Sequence, residues 1–396
     1  MNQLIPINDD IFWVGVNDRE THLFEALWPL PRGISYNAYL IRDKKTALID
    51  TVKAPYASKY IHKIEELLGE GQKIDYLIVN HMEPDHSGSI EALLNAYPDL
   101  KIVCNKKTVD FLKGFYDITE NLKIIDDAEE ISLGKHTLRF YLTPMVHWPE
   151  TMMTYETKNK ILFSGDAFGG FGALDAGIFD DQINIDYYQE EIRRYYTNIV
   201  AKYHSMVIRA INKLGDLEIK TIAATHGPVW RTHPEKIIED YLCWSKCETT
   251  KGVVIAYGSM YGHTKMMAER LSKELANRDV KNIKVFDVSK THLSYIFNEI
   301  WQYKIFVLGS CTYNTDLFPP MAQLLSFIKA SRLKNHSMGI FGTYSWSGGA
   351  VKALKEFGES GIVDLIEPVI EAKHAPKDDS YSQIEQLAEN IVKQLE

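Results

Sequence analysis

Tyr76-Leu77-Ile78-Val79-Asn80-His81-Met82-Glu83-Pro84-Asp85-His86 decides how this chain is read. Its first four residues are an apolar run with the length and composition of a buried strand. Directly behind them stand four metal-binding side chains within six residues: His81, Glu83, Asp85 and His86. In an extended segment His81, Glu83 and Asp85 point the same way, and a turn around Pro84 and Asp85 brings His86 in from beside them. So many polar groups at the end of a buried strand are costly unless something binds them. Further ligands stand singly after other expected strands: His147 after Phe140-Tyr141-Leu142, Asp166 after Ile161-Leu162-Phe163, and His226 after Thr221-Ile222-Ala223. Seven ligands exceed the need of one ion. They suit two, each bound by nitrogen and carboxylate oxygen, with Asp166 available to bridge.

The donor set also selects the metal. Zinc hydrolases with a strand-end cluster of this kind usually carry histidine where this chain has Glu83, because neutral imidazoles suit zinc and a metal-bound hydroxide. Glu83, Asp85 and Asp166 bring three negative charges beside four imidazoles. That nearly neutralises two divalent ions and holds trivalent ones more strongly, which favours iron that changes oxidation state. The other histidines, among them His22, His136, His263 and His374, have no such company and read as structural or surface residues.

A second chemistry begins near residue 250. The apolar strand Gly252-Val253-Val254-Ile255-Ala256-Tyr257 leads into Gly258-Ser259-Met260-Tyr261-Gly262-His263-Thr264 and then a helix from about Lys265 to Ala276. Strand, small-residue loop and helix make a phosphate cradle, with backbone N–H groups and the Ser259 and Thr264 hydroxyls facing an anion at the helix N-terminus. Two later strands repeat the device. Ile305 to Gly309 leads into Ser310-Cys311-Thr312-Tyr313-Asn314, and Met338 to Gly342 leads into Thr343-Tyr344-Ser345-Trp346-Ser347-Gly348-Gly349. With Ile283 to Phe286 and Val363 to Ile366 these give five strands alternating with helices, a doubly wound parallel sheet whose ligand sits at the carboxyl ends of its strands. Tyr313 and Trp346 can border a flat aromatic ligand, and no G-x-G-x-x-G fingerprint of an adenosine dinucleotide follows the first strand.

Length and composition agree with two domains, 1–249 and 250–396, divided at the short polar stretch Lys246-Cys247-Glu248-Thr249-Thr250. A chain of 396 residues with 45% hydrophobic content can fill two cores. The first domain reads as short strands with helices between them: Ile11 to Val14, Asn37 to Ile41 and Thr46 to Asp50, then a helical period from Ala57 to Leu68. No apolar run approaches the roughly 18 residues of a membrane span, and Met1 to Pro6 lacks the pattern of a signal peptide. The four cysteines, 104, 243, 247 and 311, form no C-x-x-C pair, which argues against a disulfide framework and against a rubredoxin-type iron site in this chain. A cytoplasmic location is expected. The net charge of −9 is spread along the chain, so neither nucleic acid nor membrane is an expected partner.

The pattern H-x-E-x-D-H, the later His147-Trp148-Pro149, Gly165-Asp166-Ala167-Phe168 and Thr225-His226-Gly227, and the flavin-type loops of the second half together resemble the flavodiiron proteins over essentially the whole chain. The resemblance implies a metallo-β-lactamase-like αββα sandwich followed by a flavodoxin-like sheet. It also implies that His81, Glu83 and His147 hold one non-haem iron, that Asp85, His86 and His226 hold the other, and that Asp166 bridges. His86 can either face the metal or turn away with water in its place. FMN is the implied cofactor, bound through Ser259, Met260, Tyr261, Gly262, His263, Thr264, Thr312, Tyr313, Asn314, Ser345, Trp346, Ser347, Gly348 and Gly349. Cys311 stands where the family often has proline. The implied activity is reduction of O2 to water or of NO to N2O. Rubredoxin or a deazaflavin carrier would be the separate electron donor, and the assembly a head-to-tail homodimer or a dimer of dimers. The alternative is a hydrolase of the same fold with an attached electron-carrier module, which histidine at position 83 would have favoured.

Overall fold

The computed structural model describes residues 5–69, 71–175 and 177–396. Met1 to Leu4, part of the stretch read for a signal peptide, lie outside the described residues. The chain divides into two compact units, Met1–Leu242 and Cys243–Glu396.

The first unit is built on two facing sheets. One has seven strands, ordered Ile5–Pro6, Ile11–Trp13, Tyr39–Ile41, Ala47–Ile49, Tyr76–Ile78, Lys101–Asn105 and Leu122–Ile125. The other has five: Glu130–Ser132, Thr137–Leu142, Met152–Glu156, Ile161–Gly165 and Thr221–Ala224. Tyr39–Ile41 and Ala47–Ile49 are buried throughout and read as continuous apolar runs, and Met152–Glu156 and Ile161–Gly165 are buried throughout as well, with the polar Thr154, Glu156 and Ser164 among them. Between the sheets the Tyr39 and Phe163 rings lie 5.2 Å apart, and the Tyr39 hydroxyl donates to the Ala224 carbonyl at 2.7 Å. The helix over Ala57–Leu68 forms where its period places it, burying Tyr60, Lys63 and Ile64 on one face.

Asp50, Asn80 and Thr154 join the two sheets directly beneath the ligand loops. The Asn80 backbone N–H donates to one Asp50 oxygen at 2.7 Å and its side-chain amide to the other at 2.9 Å, while the Thr154 hydroxyl donates to Asn80 Oδ1 at 2.7 Å. All three residues are buried, so this network anchors the residue that immediately precedes His81.

In the second unit the strands run Ile283–Asp287, Thr250–Gly258, Tyr303–Tyr313, Ser337–Tyr344 and Asp364–Lys373, all parallel, with Asp316–Leu317 paired antiparallel to the end of Tyr303–Tyr313. In chain order this is 2-1-3-4-5, and the order reverses beside Thr250–Gly258. Val253, Ile255 and Tyr257 pack with the helices His263–Asn277 and Asp378–Leu395. Alternation turns Val254 and Ala256, fully buried as well, to the opposite face.

Four boundaries of the second unit differ from the sequence reading. The strands expected to stop at Gly309 and Gly342 continue to Tyr313 and Tyr344, because the parallel ladder carries on through Ser310 with Gly342 and Cys311 with Thr343. The last strand runs to Lys373, well past Ile366. The helix expected from Lys265 begins at His263, since Gly262 at φ +92° takes the left-handed turn ahead of it.

Candidate metal centre

All seven sequence-selected ligands are buried at one edge of the sandwich. Each follows the carboxyl end of a strand or sits in the loop behind one. His81 and Glu83 come from the segment after Tyr76–Ile78, while Asp85 and His86 lie in the helical turn Pro84–Ser87. His147 occupies the loop between Thr137–Leu142 and Met152–Glu156, Asp166 directly follows Ile161–Gly165, and His226 follows Thr221–Ala224.

The turn changes the grouping that strand alternation suggests. Once Pro84 starts a helical turn, Asp85 rotates away from His81 and Glu83, and it joins His86 and His226. The other group is His81, Glu83, His147 and Asp166. Asp166 connects the two. Its Oδ2 is 3.0 Å from His147 Nε2 and 3.6 Å from His81 Nε2, and its Oδ1 is 3.0 Å from His86 Nε2 and 3.8 Å from His226 Nε2. Glu83 Oε2 lies 3.0 Å from His147 Nε2 and 3.3 Å from His81 Nε2. His86 faces inward, its Nε2 3.0 Å from that of His226.

The surrounding residues orient these ligands. His81 Nδ1–H donates to Glu150 at 2.8 Å, and Glu150 also accepts the Met82 N–H at 3.0 Å. His226 Nδ1–H donates to the Ser35 carbonyl at 2.7 Å. Both bonds leave Nε2 as the nitrogen that faces the centre. The Thr225 hydroxyl donates to Asp166 Oδ1 at 2.6 Å. Glu150 carried no signal in the sequence beyond its nearness to His147.

Both oxygens of Asp85 are buried without a hydrogen-bond partner, yet Oδ2 lies 3.3 Å from His86 Nε2 and 3.2 Å from His226 Nε2. An orphaned buried carboxylate converging with imidazole nitrogens is what a cation would satisfy. The donor set of four imidazoles and three carboxylates therefore fits two iron ions.

Electrostatics support the same arrangement. Burial works to lower the imidazole pKa values, but the Asp85 and Asp166 carboxylates raise His86 to about 9, and Asp166 and Glu83 raise His147 to about 9. Burial works to raise Glu83 and Asp166, but the imidazoles hold both below the usual carboxylate range. A raised histidine is protonated at pH 7, and a metal accepts only the neutral ring, so metal must displace protons. Calorimetric titration of metal-free protein at pH 7, in buffers of different ionisation enthalpy, is expected to show about two or more protons released on filling the centre. Apparent affinity should rise with pH towards 9. Binding without proton release would remove His86 and His147 from the ligand set.

The mouth of the centre is a cavity of about 620 Å³ that includes Phe24, Glu25, Tyr36, Lys53, Glu83 and Asp85. Glu25 was missed in the sequence. It sits in the turn between Leu23–Phe24 and Trp28–Pro29 at φ +50°, accepts the Trp28 indole N–H at 3.0 Å, and meets Glu83. Burial and the Glu83 carboxylate raise it to about 7. Trp148 packs within the ligand loop, 5.2 Å from the His81 ring.

The second unit holds a cavity of about 260 Å³ at the carboxyl ends of its strands. Ser259, Met260, Tyr261, His263, Thr264, Thr312, Tyr313, Asn314, Ser345, Trp346 and Ser347 line it. Gly262, Gly348 and Gly349 are not among the lining residues and shape the loops instead. Cys311, Thr315, Thr343, Tyr344 and His374 join the lining without having been selected from sequence, apart from the note on Cys311. His263 and His374 are thus cavity residues rather than bystanders. Tyr261 and Trp346 are 86% and 78% exposed around this cleft, a large apolar display that a flat aromatic ligand would cover. With the cradle at Gly262 and the paired Thr264 and Thr343 hydroxyls, 2.8 Å apart, the site fits FMN.

Gly349 is required by close approach. A Cβ there would stand 1.9 Å from the Thr315 carbonyl oxygen, so Gly349→Ala must displace the Tyr313–Asp316 turn. Overpacking of this kind costs about 1–3 kcal/mol, so FMN affinity measured by fluorescence should fall by about tenfold or more, with metal content unchanged. Unaltered affinity would place the turn outside the flavin site.

Residues 34–227 match the ODP family beta lactamase profile, and residues 255–395 match the flavodoxin profile. A nitric oxide reductase of Moorella thermoacetica is 35% identical over 400 residues, spanning 100% of both chains. An anaerobic nitric oxide reductase flavorubredoxin of Vibrio vulnificus is 36% identical, over 88% of this chain and 71% of that protein. Among solved structures, the rubredoxin oxygen:oxidoreductase of Desulfovibrio gigas superposes with a TM-score of 0.95 at 32% identity, over 99% of this chain and 98% of that one. The flavodiiron protein of Giardia intestinalis gives 0.94 at 26% identity, over 100% and 98%.

Proposed function

We propose, for a chain that belongs to the flavodiiron proteins, that it is an oxidoreductase reducing O2 to water, NO to N2O, or both. The observation that carries this reading is the pair of ligand groups meeting at Asp166, with the carboxylate Glu83 in place of the histidine a zinc hydrolase would use. When bound, FMN supplies electrons and two ferrous ions bind and reduce a small diatomic molecule.

The chain's own residues prepare that chemistry. His81, Glu83 and His147 would hold one ion, Asp85, His86 and His226 the other, and Asp166 would bridge. Glu150 and the Ser35 carbonyl fix the tautomers of His81 and His226, so neither ring must reorient when metal arrives. Ser259, Gly262 and Thr264 would seat the FMN phosphate. Tyr313 and Trp346 would flank its ring.

We further place the functional division of the chain at 249/250 and read the protein as cytoplasmic. Among the described residues no cysteine forms a disulfide, and no helix is long and apolar enough to cross a membrane. A separate donor, rubredoxin or a deazaflavin carrier, would feed the flavin. A head-to-tail homodimer, or a dimer of dimers, would bring the flavin of one subunit to the metal mouth of another, with each such contact repeated by the two-fold axis. Full turnover by a monomer in dilute solution would exclude that assembly.

The direct test measures iron, zinc and FMN per chain beside anaerobic NO consumption and aerobic O2 consumption with a reduced donor. Two irons, one FMN and turnover of at least one gas are expected. Full hydrolase activity with zinc alone, and no gas consumption, would overturn the reading in favour of the hydrolase alternative.

A further inference from the structure

The FMN cavity has a wall that the phosphate cradle and the two aromatic loops do not supply. His374 immediately follows the strand Asp364–Lys373 and lines the same cavity as Ser259, Tyr313 and Trp346. Its backbone is left-handed, at φ +64°, and its N–H donates to the Tyr344 carbonyl at 2.6 Å. That bond ties the end of the edge strand to the start of the Trp346 loop. Such a conformation is uncommon for a residue other than glycine, although histidine tolerates it better than most.

Strand order locates His374 relative to the flavin. The cavity-lining segments follow, in spatial sequence, Thr250–Gly258, Tyr303–Tyr313, Ser337–Tyr344 and Asp364–Lys373. Three spacings of about 4.8 Å put His374 roughly 14 Å from the cradle. A phosphate seated at Ser259–Thr264 therefore sends the ring towards the His374 end. Among the described residues no lysine or arginine lines the cavity, and the one other histidine there, His263, belongs to the cradle itself. Glu371, which does not line the cavity, lies 3.1 Å from where a Cβ on Gly348 would stand, against the loop that carries Trp346.

We propose that His374 is a flavin-contacting residue whose imidazole N–H faces the isoalloxazine ring and favours reduced over oxidised FMN. Reduction places electron density on the polar edge of the ring, and a donor fixed there gains more from the reduced form than from the oxidised one. The inference rests on the reading that this cavity holds FMN.

The test strips FMN from the full chain and measures the dissociation constants of oxidised and, anaerobically, of reduced FMN for the native protein, His374→Ala and His374→Gln. Iron content serves as the control for folding. In His374→Ala the oxidised cofactor should bind about two- to threefold more weakly and the reduced cofactor about tenfold more weakly again, which lowers the two-electron potential by about 30 mV. His374→Gln, which keeps an N–H donor, should recover at least half of that difference. Equal weakening of both forms, no weakening, or no recovery with glutamine would overturn the proposal. A native chain that takes up no FMN would instead overturn the cofactor reading.

Discussion

Asp166→Asn is expected to leave the fold and FMN content intact while iron per chain falls from two to below one. Gas-reducing turnover should fall by on the order of 100-fold or more, since even outer-shell changes commonly cost 10–100-fold. The reason is that one carboxylate serves both halves of the centre, with Oδ2 beside His147 and Oδ1 beside His86. An amide of the same shape keeps the volume but turns an N–H₂ group towards one imidazole nitrogen and removes the charge that holds both ions. Iron analysis, flavin absorbance and gas consumption on the same preparation decide it. Retention of two irons with near-native turnover would mean that Asp166 does not bridge.

Glu83→His should separate metal choice from fold. Glu83 is enclosed but belongs to the ligand cluster, so an imidazole there replaces a ligand without opening a cavity in the apolar core. Loss of one negative charge softens the site and shifts its preference from iron towards zinc. FMN content should be unchanged, because the loops at Ser259, Thr312 and Ser345 belong to the other compact unit. O2 and NO turnover should fall together, by on the order of 100-fold, because zinc cannot change oxidation state. Two irons and most of the turnover in this variant would refute the argument that the carboxylate makes the centre a redox site.

The cluster of candidate ligands at His81, Glu83, Asp85 and His86 was legible from spacing, because polar side chains that follow an apolar run are placed at a sheet edge by strand period. The same holds for the alternation of strand and helix behind the flavodoxin-like sheet and for its three hydroxyl-rich loops. His147, Asp166 and His226 stand singly, and it was the resemblance that joined them to the cluster. The partners that make those side chains usable were not legible. Glu150 and Ser35 reach His81 and His226 across 69 and 191 residues. Glu25 meets Glu83 only because a hairpin far from it in sequence folds over the mouth. His374 looked idle because its meaning depends on which strand lies beside Ser337–Tyr344.

Local pattern thus pointed to the two folds, the candidate ligand cluster after Tyr76–Ile78 and the candidate cradle at Ser259–Thr264, since hydrophobic period and residue chemistry act over a few residues at a time. Tertiary structure decided how the ligands divide. The helical turn at Pro84 sends Asp85 to the side of His86 and His226, and packing of the second sheet against the first sets Asp166 between the groups. The turn at Pro84 had a local signature in the proline, whereas the contact between distant strands that places Asp166 had none, because it arises from which surfaces must be buried together.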